Sequence, residues 1–345
     1  MIGSSNCIIQ QVSAHFIGNA ANGDAMKLSE EPLDVQDEKL QELLRAYFLS
    51  NFSAPEFYSF TFSNGDFALN PIYQFAKEIF EEPETFHDNS VNIAKHLYDA
   101  SQHPNIKGGE LYVAFIEGVA VGNMMTDVIG IFKSENKENY LKLSKQFNLK
   151  ADEGINVKKL DKGCLILNTE QDDGFKVLIV DTINKSDAQF WKDDFLNLKP
   201  WSDAYHHTQN FMSLARNYVA EQLDEQFSVS KADKIDLLNR SVEFFKSKEH
   251  FHKAEFETEV LNDADVIQSF RKFGRDFMSE NDFDAVDHFE ISAQAVKRQA
   301  KIFKSVLKLD KNFHIYIHGN RELIEKGFDE VMGKNYYKIY FDTES

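Results

Sequence analysis

The sequence predicts an α+β protein: a mixed or antiparallel sheet domain with flanking helices, followed by a mainly helical domain that ends in two strands. Two hairpins, at residues 110–133 and 164–182, join apolar runs across turn residues, including Asp-Asp-Gly at 172–174. An Asp-Gly turn between β-branched or aromatic runs is a strong hairpin signal. From residue 203 to 275 the apolar residues recur instead at helical spacing, which predicts the helical domain.

The first domain is expected to cover residues 1–215. Asn70 and Pro71 predict a helix start, because Asn caps free backbone N–H groups and proline suits the first turn. Ser186 and Gln189 predict a capping box at the start of the last helix of this domain. The other expected elements are a strand at 7–17, helices at 37–51 and 90–101, a short strand at 57–62 and a short helix at 137–147, with Tyr140, Leu143 and Phe147 on one side.

The second domain is expected to cover residues 216–345. Apolar residues at three- and four-residue spacing predict most of its helices. The expected elements are helices at 230–245, 263–277, 292–309 and 321–331, and strands at 313–318 and 336–341.

Composition favours an acidic protein of the cytoplasm. The chain has 345 residues and a net charge of −18, but its last fifty residues hold ten basic and seven acidic side chains. The two cysteines, Cys7 and Cys164, are expected as buried thiols. No secretory signal is recognisable, and no apolar run reaches the roughly 18 residues of a membrane span. Contact with a polyanion is therefore expected near the C-terminus.

Four stretches are recognisable as a group: DVIGIFKSENKENYLK at 127–142, GINVKKLDKGCLILN at 154–168, VLKLDKNFHIYIHG at 306–319 and YYKIYF at 336–341. In them the chain resembles the bacterial nucleoid-associated proteins of the NdpA type, most closely the branch found in Bacteroidetes. The resemblance covers nearly the whole chain. It implies a cytoplasmic protein that is associated with the nucleoid and thought to bind DNA, with no established catalytic residues and no cofactor.

The strongest DNA-binding candidate is the basic helix expected at 292–309. Its lysines at 297, 301, 304 and 308 are spaced four, three and four apart, which places them on one helical face. Phosphate contacts by lysine carry no base specificity. The alternative is an ordinary solvated face. The residues expected to contact DNA are Lys297, Arg298, Lys301, Lys304, Lys308 and Lys311.

Histidines and carboxylates offer weaker candidates. His314, Tyr316 and His318 share one side of an expected strand, where a metal site or base stacking is less favoured than a half-exposed sheet face. The pairs His250 and His252, and His206 and His207, have no supporting ligands in sequence. No metal site is therefore expected.

A metal-dependent nuclease would need clustered carboxylates and a lysine, which Asp127, Glu135 and Lys137 superficially offer. The alternative is a charged strand end. Lys133, Lys162 and the pair at 158–159 are secondary phosphate candidates, with edge-strand lysines that discourage aggregation as the alternative. No catalytic residue and no cofactor is assigned.

The expected function is non-catalytic binding of double-stranded chromosomal DNA in the nucleoid, through phosphates and with little sequence specificity. A homodimer would present two basic stripes and bind more tightly. The alternative is an acidic scaffold that a DNA-processing protein partner brings to the nucleoid, and a nuclease is the third hypothesis. No membrane association is expected.

Overall fold

The computed structural model describes residues 2–3, 7–52, 56–122, 124–182, 190–281, 286–303, 306–310, 312–316 and 323–343. The chain folds as two compact units, residues 1–201 and 202–345. Both helices and strands are abundant, so the predicted α+β class is confirmed.

The first unit is built on strands, with helices between them. Its helices are α1 (Glu38–Leu49), α2 (Pro71–Glu81) and α3 (Phe86–Ala100), followed by a π-helical segment at Phe190–Leu196. Its strands are β1 (Ile2–Gly3), β2 (Ile8–Ile17), β3 (Tyr58–Phe60), β4 (Gly109–Val121), β5 (Met124–Ser134), β6 (Glu138–Leu143), β7 (Leu149–Gly154), β8 (Lys162–Leu167), β9 (Lys176–Asp181) and β10 (Leu198–Pro200).

An eight-stranded antiparallel sheet organises this unit, in the order β1-β4-β5-β8-β9-β3-β10, with β2 also paired to β4. Both predicted hairpins are confirmed as β4–β5 and β8–β9. The helix start at Asn70 is confirmed as well, because the Asn70 side chain accepts the Tyr73 N–H at 3.1 Å. The expected capping box at Ser186 and Gln189 lies outside the described residues.

The central strands are buried on both faces, which explains their continuous apolar runs. In β8, Cys164 and Ile166 pack into the cluster that α2, α3 and the π-helical segment cover. Leu165 and Leu167 pack on the opposite side, in the cluster that contains residues of α1. On that side the rings of Phe48 and Phe132 are stacked, with centroids 4.1 Å apart.

The prediction of a helix at 137–147 is wrong. These residues form β6 and the turn that leads to β7, and β6 and β7 pair only with each other in a two-stranded sheet. Tyr140, Leu143 and Phe147, which were expected on one side of the helix, are all exposed. The helical spacing of these three residues therefore does not arise from a helix that packs by one face.

The second unit is mainly helical, with three short two-stranded sheets. Its helices are α4 (Ala204–Asn217), α5 (Leu223–Gln226), α6 (Lys231–Ser247), α7 (Lys253–Phe256), α8 (Ala264–Glu280) and α9 (Ala293–Ala300), with π-helical segments at Tyr218–Gln222 and Glu257–Leu261. Its strands are β11 (His250–His252), β12 (His288–Glu290), β13 (Val306–Leu309), β14 (Phe313–Tyr316), β15 (Ile324–Asp329) and β16 (Lys334–Ile339).

The core of the second unit is rich in phenylalanine. Phe251 stacks between Phe245 and Phe289, with ring centroids 5.5 Å and 4.6 Å away. Phe211 of α4 packs into the same cluster. Because α4 belongs to this core, the contacts divide the chain between Trp201 and Ser202. The boundary expected near residue 215 falls inside α4.

The predictions of two helices near the C-terminus, at 292–309 and 321–331, are also wrong. The long helix at 292–309 stops at Ala300, and Val306–Leu309 is a strand paired with Phe313–Tyr316. The helix at 321–331 is replaced by β15, which pairs with β16. The expected last strand at 336–341 corresponds to β16, and the strand at 313–318 is described only as far as Tyr316.

Candidate nucleic-acid interface

Helix α9 carries the predicted basic residues that lie closest together. Ser292 caps it, with its hydroxyl accepting the Ala295 N–H at 3.4 Å. Lys297 and Arg298 lie in its last turn, where positive charge is favourable beside the negative end of the helix dipole. Ala295 and Val296 are buried, so the helix docks by its apolar side while Lys297 faces solvent.

The structure does not place all six predicted residues on one helix. Lys301 follows the end of α9 and is exposed, while Lys308 is exposed on β13 opposite His314. Lys304 and Lys311 lie outside the described residues. The predicted helical stripe of four lysines is therefore not formed, because Lys308 belongs to a strand.

Arg298 differs from its lysine neighbours in having a fixed partner. Its guanidinium donates a hydrogen bond to the Tyr205 hydroxyl of α4 at 2.9 Å. This contact ties α9 to α4 and reduces what Arg298 can offer a phosphate. Lys297 and Lys301, by contrast, have no carboxylate within ion-pair distance among the described residues.

Beside these lysines lies a groove of about 830 Å³, which we call the lysine groove. Lys246 and Lys248, from the end of α6 and just beyond it, line it together with Lys297 and Lys301. Its other lining residues are Phe245, Glu249, His250, Glu290, Ile291, Ala293, Val296 and Ala300. Four lysines against two glutamates give the groove a positive balance in an acidic chain.

The lysines of the groove are not equally available. Lys248 is held by Glu259 and Glu255, at 2.8 Å and 3.3 Å, and the hydrogen bond to Glu259 is the main cause of its raised pKa. Lys246 is 3.6 Å from Glu243, and both of these side chains are exposed. Exposed pairs of this kind contribute little and are easily exchanged for another anion. Lys246, Lys297 and Lys301 are therefore the cations that a phosphate can reach most readily.

Sequence reasoning missed Lys246 and Lys248. They lie about fifty residues before α9 in sequence, and only the packing of α6 against α9 brings them beside Lys297. A weak signal was present, since lysines in the last turn of a helix face the negative end of its dipole.

His250, His252 and His288 share one exposed ribbon, whereas His206 and His207 lie on α4. His252 and His288 are opposite one another on β11 and β12 with rings 4.2 Å apart, and His250 lies opposite Glu290. Across the described ranges, no three His, Cys, Asp or Glu side chains are grouped so that they could hold a metal ion. His314 and Tyr316 are exposed on β14, and His318 lies outside the described residues.

The residues of the nuclease hypothesis are not brought together. Asp127 lies near the start of β5 and accepts the Gly118 N–H, whereas Glu135 follows the end of the same strand. At about 3.3 Å per residue, the Cα atoms of these two residues are roughly 26 Å apart along the strand. Lys137 is paired with Glu110 instead. The structure thus contradicts a shared site for these residues.

Lys133 and Lys162 are not edge-strand lysines. They lie directly opposite each other on β5 and β8, inside the sheet, and both are buried. Lys133 pairs with Glu135 at 2.9 Å and Lys162 with Asp181 at 2.8 Å. Neither ammonium group can reach a phosphate. Of the other secondary candidates, Lys158 is exposed and Lys159 pairs with Glu138.

A family model described as "Nucleoid-associated protein YejK" matches residues 9–337. The chain belongs to this family. The family confirms the resemblance drawn from the sequence and associates the chain with the nucleoid. No curated protein matches the chain significantly. Among the helices that the structure describes, none has the length and apolar character needed to cross a membrane.

Proposed function

We propose that the protein binds double-stranded chromosomal DNA without catalysing a reaction, through phosphate contacts and with little sequence preference. Membership of the YejK family supports an association with the nucleoid. The lysine groove supports a direct contact, because Lys297 and Lys301 carry exposed charge and no carboxylate partner among the described residues. Lysine binds phosphate as a point charge and reads no base edge by itself.

The binding is expected to depend steeply on salt. Each phosphate that a lysine neutralises releases condensed counterions, and the slope of log affinity against log salt is about −0.9 per contact. The net charge of −18 repels the duplex outside the basic surfaces, so one copy should bind modestly. Two linked copies would gain through effective concentration, which is why we propose a homodimer.

Duplex binding measured against salt concentration tests this proposal. Changing Lys246, Lys297 and Lys301 together to Gln is expected to weaken binding at low salt and to reduce the slope by about 2.7, because three contacts are lost. The matched control changes Lys231, Lys272 and Lys326, which are exposed elsewhere in the second unit. Control and native chains should share one slope.

Two results would overturn the proposal. One is a native chain that fails to retain a duplex even at 50 mM salt, and the other is a groove variant that keeps the native slope. In either event the alternative gains support: an acidic scaffold that a DNA-processing protein brings to the nucleoid. Loss of supercoiled plasmid on adding Mg²⁺ would contradict the non-catalytic part.

A further inference from the structure

Strands β6 and β7 form an arm, residues 138–154, that stands apart from the large sheet. Every residue of β6 is exposed, and so are all residues of β7 except the half-buried Gly154. A two-stranded hairpin has little stability of its own in water. An arm without a buried face therefore needs a fixed root, and its side chains are free to contact another molecule.

The root of the arm is held by hydrogen bonds. The Asp161 carboxylate accepts the backbone N–H groups of Glu135 and Asn136, at 2.6 Å and 2.9 Å, and also the Asn136 side-chain amide. Glu138, the first residue of β6, is engaged by Lys159 and by the Asn156 amide. Hydrogen bonds thus hold the two ends of the arm, and the Glu138 carboxylate is already bound to Lys159 and Asn156.

The arm has two chemically different faces. Residues directly opposite each other share a face, so Lys142 and Lys150 lie together on one side. Leu143 and Leu149 lie together on the other side, next to the opposed pair Leu141 and Ala151. The outer part of the arm is therefore a ribbon with a basic face and an apolar face.

Its charge contrasts with that of the whole chain. The arm as a whole is neutral, with three lysines, at 142, 145 and 150, against Glu138, Asp152 and Glu153, whereas the whole chain has a net charge of −18; its outer part, residues 139–151, holds the lysines and no acidic residue. Within the described residues, none of these lysines is in an ion pair. Like charges directly opposite each other destabilise a strand pair, so an anion that lies against Lys142 and Lys150 is expected to stabilise the arm, in addition to the Asp152 carboxylate on the same face.

The tip of the arm holds an aromatic ring in solvent. Ser144 accepts the Phe147 N–H through its carbonyl and the Asn148 N–H through its hydroxyl, at 3.0 Å and 3.1 Å. Phe147 has a φ of 60° and its side chain is 84 % exposed. A bulky residue rarely adopts this left-handed backbone, and such strain persists where the surroundings fix it. The turn therefore presents an apolar ring rather than the Gly or Asn that it would prefer.

We propose that this arm is a second DNA-binding site, which inserts Phe147 as a wedge at a base step while Lys142, Lys145 and Lys150 lie on the flanking phosphates. The inference rests on the proposed function for its ligand. Architectural DNA-binding proteins combine these two parts, an apolar wedge that unstacks a step and basic residues that hold the bent backbone. An apolar surface for a protein partner alone would not need three unpaired lysines.

The test uses the full chain and a 30-base-pair duplex with a fluorescent donor and acceptor at its ends. Phe147→Asn keeps the turn, because Asn tolerates the left-handed backbone. It is expected to abolish the change in energy transfer that reports bending and to weaken binding about five-fold or more, since stacking on a base is lost. It should leave the salt slope unchanged. The lysine variant K142Q/K145Q/K150Q is expected to reduce that slope by about 2.7.

A matched control changes Lys39, Lys95 and Lys199, which are exposed elsewhere in the first unit. A native chain that binds the duplex with an unchanged slope in the arm lysine variant would overturn the arm site and leave the proposed function standing. A native chain that binds no duplex would overturn both. A native dimer that Leu141→Asp converts to monomers, at unchanged DNA affinity, would identify the arm as a contact between copies and also overturn its role in DNA binding.

Discussion

At the scale of single residues, Lys133 and Glu135 place opposite charges inside the first unit, where their side chains are 0 % and 4 % exposed. Burial lowers the pKa of Lys133, while the Glu135 carboxylate acts in the opposite direction. Lys133 also donates to the Lys107 carbonyl at 2.6 Å. Removing one member of a buried pair leaves an uncompensated charge, whereas removing both leaves none.

The substitution Glu135→Gln is therefore expected to lower the free energy of unfolding by about 3–5 kcal/mol. Urea denaturation at pH 7 measures this loss. The double variant Lys133→Met/Glu135→Leu is expected to be less destabilised, because no buried ammonium group is left without a carboxylate. A single variant that is more stable than the double variant would contradict this account of the pair.

At the scale of elements, the sequence was most informative where a local rule and a buried face agree. The hairpins β4–β5 and β8–β9 follow from their turn residues and apolar runs, and α2 begins at Asn70 as its capping residue predicts. In each of these elements most of the apolar residues are core residues, so their spacing follows the geometry of the backbone.

The wrong predictions of secondary structure lie where the apolar residues do not pack into a core with the predicted geometry. Leu143 and Phe147 match a helix period, yet they belong to an exposed arm with no core to specify a period. Near the C-terminus, Phe303 and Leu307 also fit a helix. However, Leu307 and Leu309 both pack on the small cluster around Ile235, which requires the alternation of a strand. Tertiary packing decides whether such an ambiguous pattern forms a helix or a strand. The packing partners cannot be identified from the local spacing of apolar residues in one sequence.

The strand at Val306–Leu309, which replaces the end of the helix expected at 292–309, leads to a test of its packing. Leu307 is 1 % exposed and contacts the cluster of Ile235 and Ile324. Leu307→Ala is expected to lower the free energy of unfolding by about 2–5 kcal/mol, because it leaves a cavity. Denaturation of Leu141→Ala provides the comparison: this leucine is exposed on the arm, so its loss should change stability by less than about 0.5 kcal/mol. Equal effects in the two variants would argue against the packing described for β13.

At the scale of the whole molecule, the chain has two compact units, and each contains its own large apolar cluster. The fragment of residues 1–201 is therefore expected to fold alone and to unfold in one cooperative transition. Its circular dichroism and urea denaturation measure this. A fragment without a cooperative transition would mean that the first unit depends on residues 202–345.

Only part of the candidate site could be predicted from the sequence. Lys297 and Lys301 were predicted from their spacing, and both line the groove. Lys246 and Lys248 were not predicted, because α6 and α9 meet only in the folded unit. The arm was missed for a different reason: its lysines fall in a stretch that was predicted as a short helix with Tyr140, Leu143 and Phe147 on one side, so the hairpin and its exposed ring were not foreseen.

The acidity of the chain has a consequence for any DNA that it occupies. Compaction by charge neutralisation requires a protein that brings more positive than negative charge to the duplex, but each copy of this chain brings a net charge of −18. A DNA segment covered by such copies becomes more anionic, and neighbouring copies repel one another within a Debye length of about 8 Å. Copies that bind DNA as proposed are therefore expected to keep at least about this spacing, and they would act on the path of the DNA at separate points rather than by collapsing it.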